Sequence, residues 1–151
     1  MRILGLLTPR ETVATIFEID FLALRDAGMR AVLFDLDNTL EYGRPSVLRT
    51  DTQTFLRGLV RSGLCIGILS NRRCLSTERE ERLRVEGIPT MFHAGKPRRR
   101  GYAYLMNLMG VRSLETVFIG DRRLTDIVGA NRADLYSILV RRPAFGGEAR
   151  P

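Results

Sequence analysis

Two carboxylates one residue apart, Asp35 and Asp37, stand directly behind the apolar run Ala31, Val32, Leu33 and Phe34, and Asn38 and Thr39 follow them. An unbroken apolar tetrad is what a strand buried on both faces requires. The pair is therefore delivered to the carboxyl end of that strand, the edge where open α/β sheets take their ligands. Carboxylates this close repel each other, and a divalent cation is the simplest way to keep both ionised. An all-oxygen set suits magnesium, which keeps several waters and takes only one or two protein carboxylates. The same residues also suit a strand followed by an Asx turn. What the rest of the chain supplies must separate the two readings.

Three more polar groups stand where apolar runs finish. Ser70 and Asn71 follow Leu64 to Leu69, Gly120 and Asp121 follow Thr116 to Ile119, and Lys96 lies just beyond a short candidate strand at 89–92. Taken singly, each is an ordinary turn or a solvated loop. In a parallel sheet, however, all strand ends share one edge, so groups far apart in sequence converge there.

The elements that must position these groups alternate. Helices are expected over 50–61, 76–86, 102–109 and 124–133, with Phe55, Leu56, Leu59 and Val60 forming the apolar face of the first. A last strand is expected over 136–140. Strands alternating with helices imply an α/β protein with a central parallel sheet covered on both faces. Residues 1–30 read as a helical lead-in: Thr8 and Pro9 suit an N-cap and N1 pair, Val13, Ile16 and Phe17 recur at helical spacing, and Asp20 suits the cap of a second short helix ended by Gly28. Leu4, Leu6 and Leu7 are expected to pack into the core as a first turn. The polar tail 143–151 is expected to be mobile.

Length and composition narrow the class. At 151 residues and 44% hydrophobic content, one domain over 1–151 is the natural expectation. No apolar run approaches the roughly 18 residues needed to span a bilayer, and the start lacks a cleavable secretory signal, which points to a cytoplasmic protein with peripheral membrane contact left open. His93 is the only histidine, which excludes a histidine-rich metal site, and Cys65 and Cys74 have no metal-like spacing. The net charge of +7 is almost wholly arginine, with Lys96 the only lysine. Such a charge favours anionic partners.

With these residues in place, the chain resembles the haloacid dehalogenase (HAD) superfamily phosphatases. Asp35-Leu36-Asp37-Asn38-Thr39 is similar to the first motif of that superfamily, Ser70 to the second, Lys96 to the third, and Gly120-Asp121 with Asp126 to the fourth. A narrower likeness, to the YqeG type that includes mitochondrial phosphatidylglycerophosphate phosphatases, rests on Leu6-Leu7-Thr8-Pro9, Ile19-Asp20, Lys96-Pro97 and the stretch Thr125 to Asn131. Arg72 and Arg122 depart from that pattern, at positions expected to lie beside the site rather than in it.

The resemblance implies a three-layer, Rossmann-like HAD fold with its catalytic core over 31–140. The connections after the first and second motifs are too short for a cap domain, so the site should be open. It implies Asp35 as nucleophile, Asp37 as general acid and base, and Lys96 beside both nucleophile and phosphate. Ser70, Asn71 and Asn38 would contact the substrate. Magnesium would sit on Asp35, the Asp37 main-chain carbonyl and Asp121, with Asp126 assisting directly or through water; the alternative for Asp126 is helix-dipole complementarity. The expected partner is a phosphorylated small molecule or an anionic phospholipid headgroup such as phosphatidylglycerophosphate, with soluble phosphoesters or phosphorylated macromolecules as the alternative. Arg44, Arg72, Arg73, Arg98, Arg99, Arg100, Arg122 and Arg123 would include a basic rim. A non-catalytic basic module binding RNA or membrane is the reading from another class. Nucleic acid is disfavoured, since the arginine stretches offer few aromatics for base stacking apart from Tyr102 and Tyr104.

Overall fold

The computed structural model describes residues 3–147. Among them, six strands form one parallel sheet in the order β1-β6-β5-β2-β3-β4: β1 Glu11–Val13, β2 Ala31–Phe34, β3 Cys65–Leu69, β4 Thr90–Met91, β5 Thr116–Gly120 and β6 Tyr136–Val140. The helices are α1 Ile3–Leu6, α2 Phe21–Asp26, α3 Thr50–Arg61, α4 Thr77–Glu81, α5 Arg99–Met109 and α6 Val128–Arg132.

The strand period of two explains the layers. Val32, Phe34, Val117 and Ile119 face one apolar cluster with Leu56 and Leu59 of α3, while Ala31, Leu33 and Phe118 face another with Tyr102 and Leu105 of α5 and Ala130 of α6. The result is the α/β sandwich the alternation predicts, with no cap-sized insertion. The fully buried Val, Leu, Ile and Phe side chains among these each contribute about 1.5–3 kcal/mol relative to exposure. From β2 the chain runs first to β3 on one side and later returns to β5 on the other. That reversal opens a crevice at the carboxyl end of β2, where Asp35 stands.

Several expectations are corrected. Glu11–Val13 is an edge strand paired with β6, not a helix, and Ile16–Glu18 is a short 3-10 turn capped by Thr15 Oγ1. β-branched Thr12 and Val13 suit a strand, so the helical spacing of Val13, Ile16 and Phe17 is incidental: Ile16 is buried and Phe17 is exposed. Asp20 does cap α2, accepting from the Ala23 amide at 2.9 Å. Leu4 is exposed rather than packed, and Leu6 and Leu7 are half-buried. Val60 likewise faces solvent.

The helix expected over 76–86 stops at Glu81, because Leu83, Val85 and Ile88 turn inward to the core. The segment 124–133 begins as a π-helical turn, Arg123–Ile127, before α6. The tail is partly fastened: Ala144 and Phe145 donate to the Thr39 and Leu40 carbonyls at 3.2 and 2.9 Å, and Tyr42 donates to Phe145 at 3.0 Å. The remainder of the expected mobile tail, 148–151, lies outside the described residues. Among the described residues no helix is long and apolar enough to cross a membrane.

Candidate active site

The strand ends converge as the parallel arrangement requires. Asp35 extends β2, with its amide bonded to the Ile119 carbonyl of β5 at 2.9 Å. Lys96 crosses from the loop after β4 and is buried; its Nζ donates to Asp35 Oδ1 at 2.8 Å and to Asp126 Oδ1 at 2.6 Å. The ammonium also lies 5.3 Å from the centroid of the Phe118 ring, within cation–π range. Asp35, Asp37, Asn38, Ser70, Asn71, Lys96 and Asp126 line one cavity of about 270 Å³, and Arg44, Arg72 and Arg122 complete much of its wall.

Asp126 acts on both sides of this constellation. Its Oδ2 accepts the Asp121 and Arg122 amides, both at 3.1 Å, and its Oδ1 holds Lys96. The π-helical turn makes this possible by bringing a buried carboxylate back over Gly120. A Cβ at Gly120 would fall 2.4 Å from the Asp126 Cγ, so that position tolerates no side chain. The turn is held in turn by Tyr102, whose buried hydroxyl is 3.2 Å from both the Thr125 and Asp126 carbonyls. With Oδ2 taking two amides, Asp126 has less capacity for a metal than Asp35 or Asp121.

Carboxylate oxygens of Asp35, Asp121 and Asp126 come within 4.8 Å of one another. Three carboxylates against one ammonium leave two negative charges, a set that fits one divalent cation. Thr39 Oγ1 lies 3.3 Å from Asp35 Oδ2 and 3.2 Å from Asp121 Oδ1, so its proton can serve either. Burial pushes all three carboxyls above their usual range; for Asp35 and Asp126, Lys96 offsets part of the rise. Burial also pulls Lys96 down, but Asp35 and Asp126 together outweigh it and hold its pKa above the ordinary lysine value.

Asp37 is half-buried on the other side of the cavity. Burial raises its pKa, and Arg72 is the main opposing influence. Arg72 Nη1 lies 3.3 Å from Asp37 Oδ1, and Arg44 Nε 3.8 Å from Oδ2. Arg72 and Arg122 therefore line the site, against the expectation that they lie beside it. Arg72 also donates to the Pro45 carbonyl.

Ser70 is buried at the end of β3, with its Oγ accepting from the Arg72 amide at 3.0 Å. The Asn71 amide group is spent on the Lys96 main chain, at 2.7 and 2.9 Å, so its side chain positions the lysine loop. Asn38 takes a positive φ of 60°, and its Oδ1 accepts the Gly43 amide at 2.9 Å, five residues on, so this side chain braces the loop after β2 rather than closing an Asx turn.

Of the remaining rim arginines, Arg73 lines a neighbouring pocket, Arg123 donates to the Leu7 carbonyl, and Arg98, Arg99 and Arg100 do not line the cavity. A larger groove of about 870 Å³ between Phe17, Phe55 and Phe145 is apolar, and its one carboxylate, Asp51, is paired with Arg49. From the sequence no role is expected of Thr39 or Tyr102, which the structure sets against Asp35 and Asp121 and against the Asp126 turn. The spacing of Thr39 behind the carboxylate pair was a usable signal; nothing in the sequence marked Tyr102.

A HAD-hydrolase-like family model matches residues 93–150. The probable phosphatase YqeG of Bacillus subtilis is 33% identical over 135 residues, covering 87% of this chain and 76% of that protein. The chloroplastic phosphatidylglycerophosphate phosphatase 1 of Chlamydomonas reinhardtii is 31% identical over 95% of this chain and 56% of that protein. Among solved structures, an uncharacterized protein from Listeria monocytogenes serotype 4b superposes with a TM-score of 0.58 at 21% identity, over 82% of this chain and 85% of that one. The cobalt-bound deoxy-D-mannose-octulosonate 8-phosphate phosphatase of Haemophilus influenzae does so at 0.57 and 17% identity, over 77% and 71%. The fold, the converging strand ends and these likenesses agree: the chain belongs to the HAD-like hydrolases, as a phosphatase related to YqeG.

Proposed function

We propose that the protein is a magnesium-dependent phosphomonoesterase that works through an aspartyl-phosphate on Asp35, with phosphatidylglycerophosphate as its substrate. The observation that carries the reading is Asp35 itself: a buried carboxylate at a strand end, held 2.8 Å from the only lysine, with a second carboxylate two residues on.

In the first step an Asp35 carboxylate oxygen attacks phosphorus as the bond to the leaving oxygen breaks, and Asp37 gives that oxygen its proton. The burial that raises the Asp37 pKa supports its being protonated at this point. In the second step Asp37 takes a proton from water, whose oxygen attacks phosphorus and frees the Asp35 carboxylate and inorganic phosphate. Lys96 aims Asp35 and favours its ionised form before attack, and Ser70 at the end of β3 would donate to a phosphoryl oxygen. Asp35, Asp121 and the Asp37 main-chain carbonyl would hold magnesium, with Asp126 contributing at most its remaining Oδ1 lone pair. When bound, the cation supplies positive charge against the phosphoryl oxygens.

The lipid substrate is supported by the relative from Chlamydomonas reinhardtii and by the open site, which admits a headgroup presented at a surface. The net charge of +7 favours approach to an anionic membrane. The test is phosphate release from phosphatidylglycerophosphate in mixed micelles, with and without magnesium, beside a panel of soluble phosphomonoesters. Release that needs magnesium, prefers the lipid and vanishes in Asp35→Asn is expected. Release from soluble esters alone would discard the lipid; activity surviving in Asp35→Asn would discard the mechanism.

A further inference from the structure

Beside the catalytic cavity lies a second pocket of about 570 Å³, and the two share Arg44 and Arg72. One wall is the loop after β2, with Arg44 and Ser46. The other is the loop after β3 together with α4 and its exit, which adds Arg73, Arg79 and Arg82. Arg72 spans the walls, bonded to Asp37 on the catalytic side and to the Pro45 carbonyl of the facing loop. The walls are further tied by the Leu48 amide, which donates to the Arg82 carbonyl at 3.1 Å. Buried Leu83 is also among the lining residues.

The charge in this pocket is not balanced. Arg44 and Arg72 share Asp37, and Arg82 pairs with Glu78 at 2.8 Å. Among the described residues Arg73 and Arg79 have no carboxylate within ion-pair distance. Five arginines thus face two carboxylates, Asp37 and Glu78, an excess of three positive charges next to a site built for a phosphoryl group. Arginines solvated one by one need no shared cavity. Here Arg73, Arg79 and Arg82, each exposed, line one that shares Arg44 and Arg72 with the catalytic site.

We propose that this pocket is a subsite for a second phosphate group on the substrate, with Arg73 and Arg79 its principal ligands and Arg72 the hinge between the two phosphates. Guanidinium groups suit this task because their planar forks bind phosphate oxygens in pairs. The inference rests on the phosphatase reading of the adjoining cavity, and it narrows the substrate class to phosphomonoesters that carry a second phosphate a few bonds away. A soluble bisphosphate and a lipid headgroup with its internal phosphodiester share that chemistry.

The test measures binding apart from turnover. Calorimetry on Asp35→Asn, with glycerol 3-phosphate, glycerol 1,3-bisphosphate and short-chain dihexanoyl phosphatidylglycerophosphate below its micelle concentration, gives the affinity gained from the second phosphate. A gain of about tenfold or more is expected for at least one of the two-phosphate probes, as charge-assisted bonds to one phosphate supply. Which probe shows the larger gain separates a soluble from a lipid source. Adding Arg73→Ala and Arg79→Ala should erase the gain, and Arg73→Lys with Arg79→Lys should restore part of it. Arg57→Ala with Arg61→Ala, which removes equal charge from α3, should leave it intact. No gain for either probe, a gain that survives loss of Arg73 and Arg79, or an equal loss in the α3 variant would each overturn the subsite. A gain erased as expected in a protein that hydrolyses nothing would keep the subsite and refute the phosphatase reading.

Discussion

Replacing Lys96 with methionine preserves the length of the side chain and removes the charge on which the site is balanced. The ammonium lies 2.8 Å from Asp35 and 2.6 Å from Asp126, and the three side chains are 2%, 10% and 1% exposed. Breaking a buried ion pair by removing one partner costs about 3–5 kcal/mol, since the other charge remains buried without compensation. Two carboxylates lose their partner here and a third, Asp121, stands beside them, so Lys96→Met should cost toward the upper end, about 4–5 kcal/mol in metal-free buffer. In a chain of this size that is a fall in Tm of about 8–20 °C.

The assay is urea unfolding followed by circular dichroism in the presence of EDTA. The double variant Lys96→Met, Asp126→Asn should cost less than the two single changes added, with a coupling of about 1–3 kcal/mol, because the second change removes one of the charges that the first left unpaired. Magnesium should recover part of the loss. The Lys96 pKa is raised in the folded protein. Its stabilisation is therefore complete below the unfolded value of about 10.4 and is lost as pH rises through the higher native value. The penalty of the variant should accordingly shrink in strongly alkaline buffer, and also as pH falls and the carboxyls left without Lys96 take up protons. A Lys96→Met protein within about 1 kcal/mol of wild type in EDTA, or strict additivity in the double variant, would refute this account of the site.

Burial raises the carboxyls of Asp35, Asp37, Asp121 and Asp126 in the folded state. The metal-free protein should therefore gain stability as pH falls from neutral toward the ordinary carboxylate range near about 4, and magnesium should flatten that slope; unfolding midpoints across this range, with EDTA or magnesium, check it, and a metal-free protein that only loses stability would contradict it. Gly129→Ala would place a Cβ 2.3 Å from the Tyr102 hydroxyl oxygen and 2.7 Å from its ring, and should lower stability by about 1–3 kcal/mol or more. Gly58→Ala, on an open stretch of α3, should instead raise it by up to about 1 kcal/mol, and thermal melts of the two variants should shift in opposite directions.

What local sequence carried was the core of the fold and the backbone of the site. The apolar tetrad Ala31–Phe34, the runs ending at Leu69 and Gly120 and the helices α3 and α5 read correctly, because a strand buried on both faces and an amphipathic helix each have a period the sequence must show. Strand ends of a parallel sheet share one edge, so Asp35, Ser70, Lys96 and Asp121 could be brought together from the sequence, whereas Asp126 entered only through the family resemblance. The lead-in was misread because Val13, Ile16 and Phe17 satisfy the helical period by chance, whereas Glu11–Val13 is a strand through its pairing with β6, more than a hundred residues away. The fastening of the tail to the Thr39–Tyr42 loop is likewise invisible locally.

Side-chain assignments divided along the same line. Residue type and spacing were enough to nominate Asp35, Asp37, Lys96 and Asp121 as one polar cluster at the strand ends, and the family resemblance supplied the roles expected of them. Which atoms are already spent was decided only by the tertiary structure. It commits the Asn38 and Asn71 side chains to loop geometry, turns Asp126 toward Lys96 and two amides, and brings Arg72 onto Asp37. A hydrogen bond depends on distances of tenths of an ångström between residues separated by tens of positions, and composition and periodicity do not encode those distances.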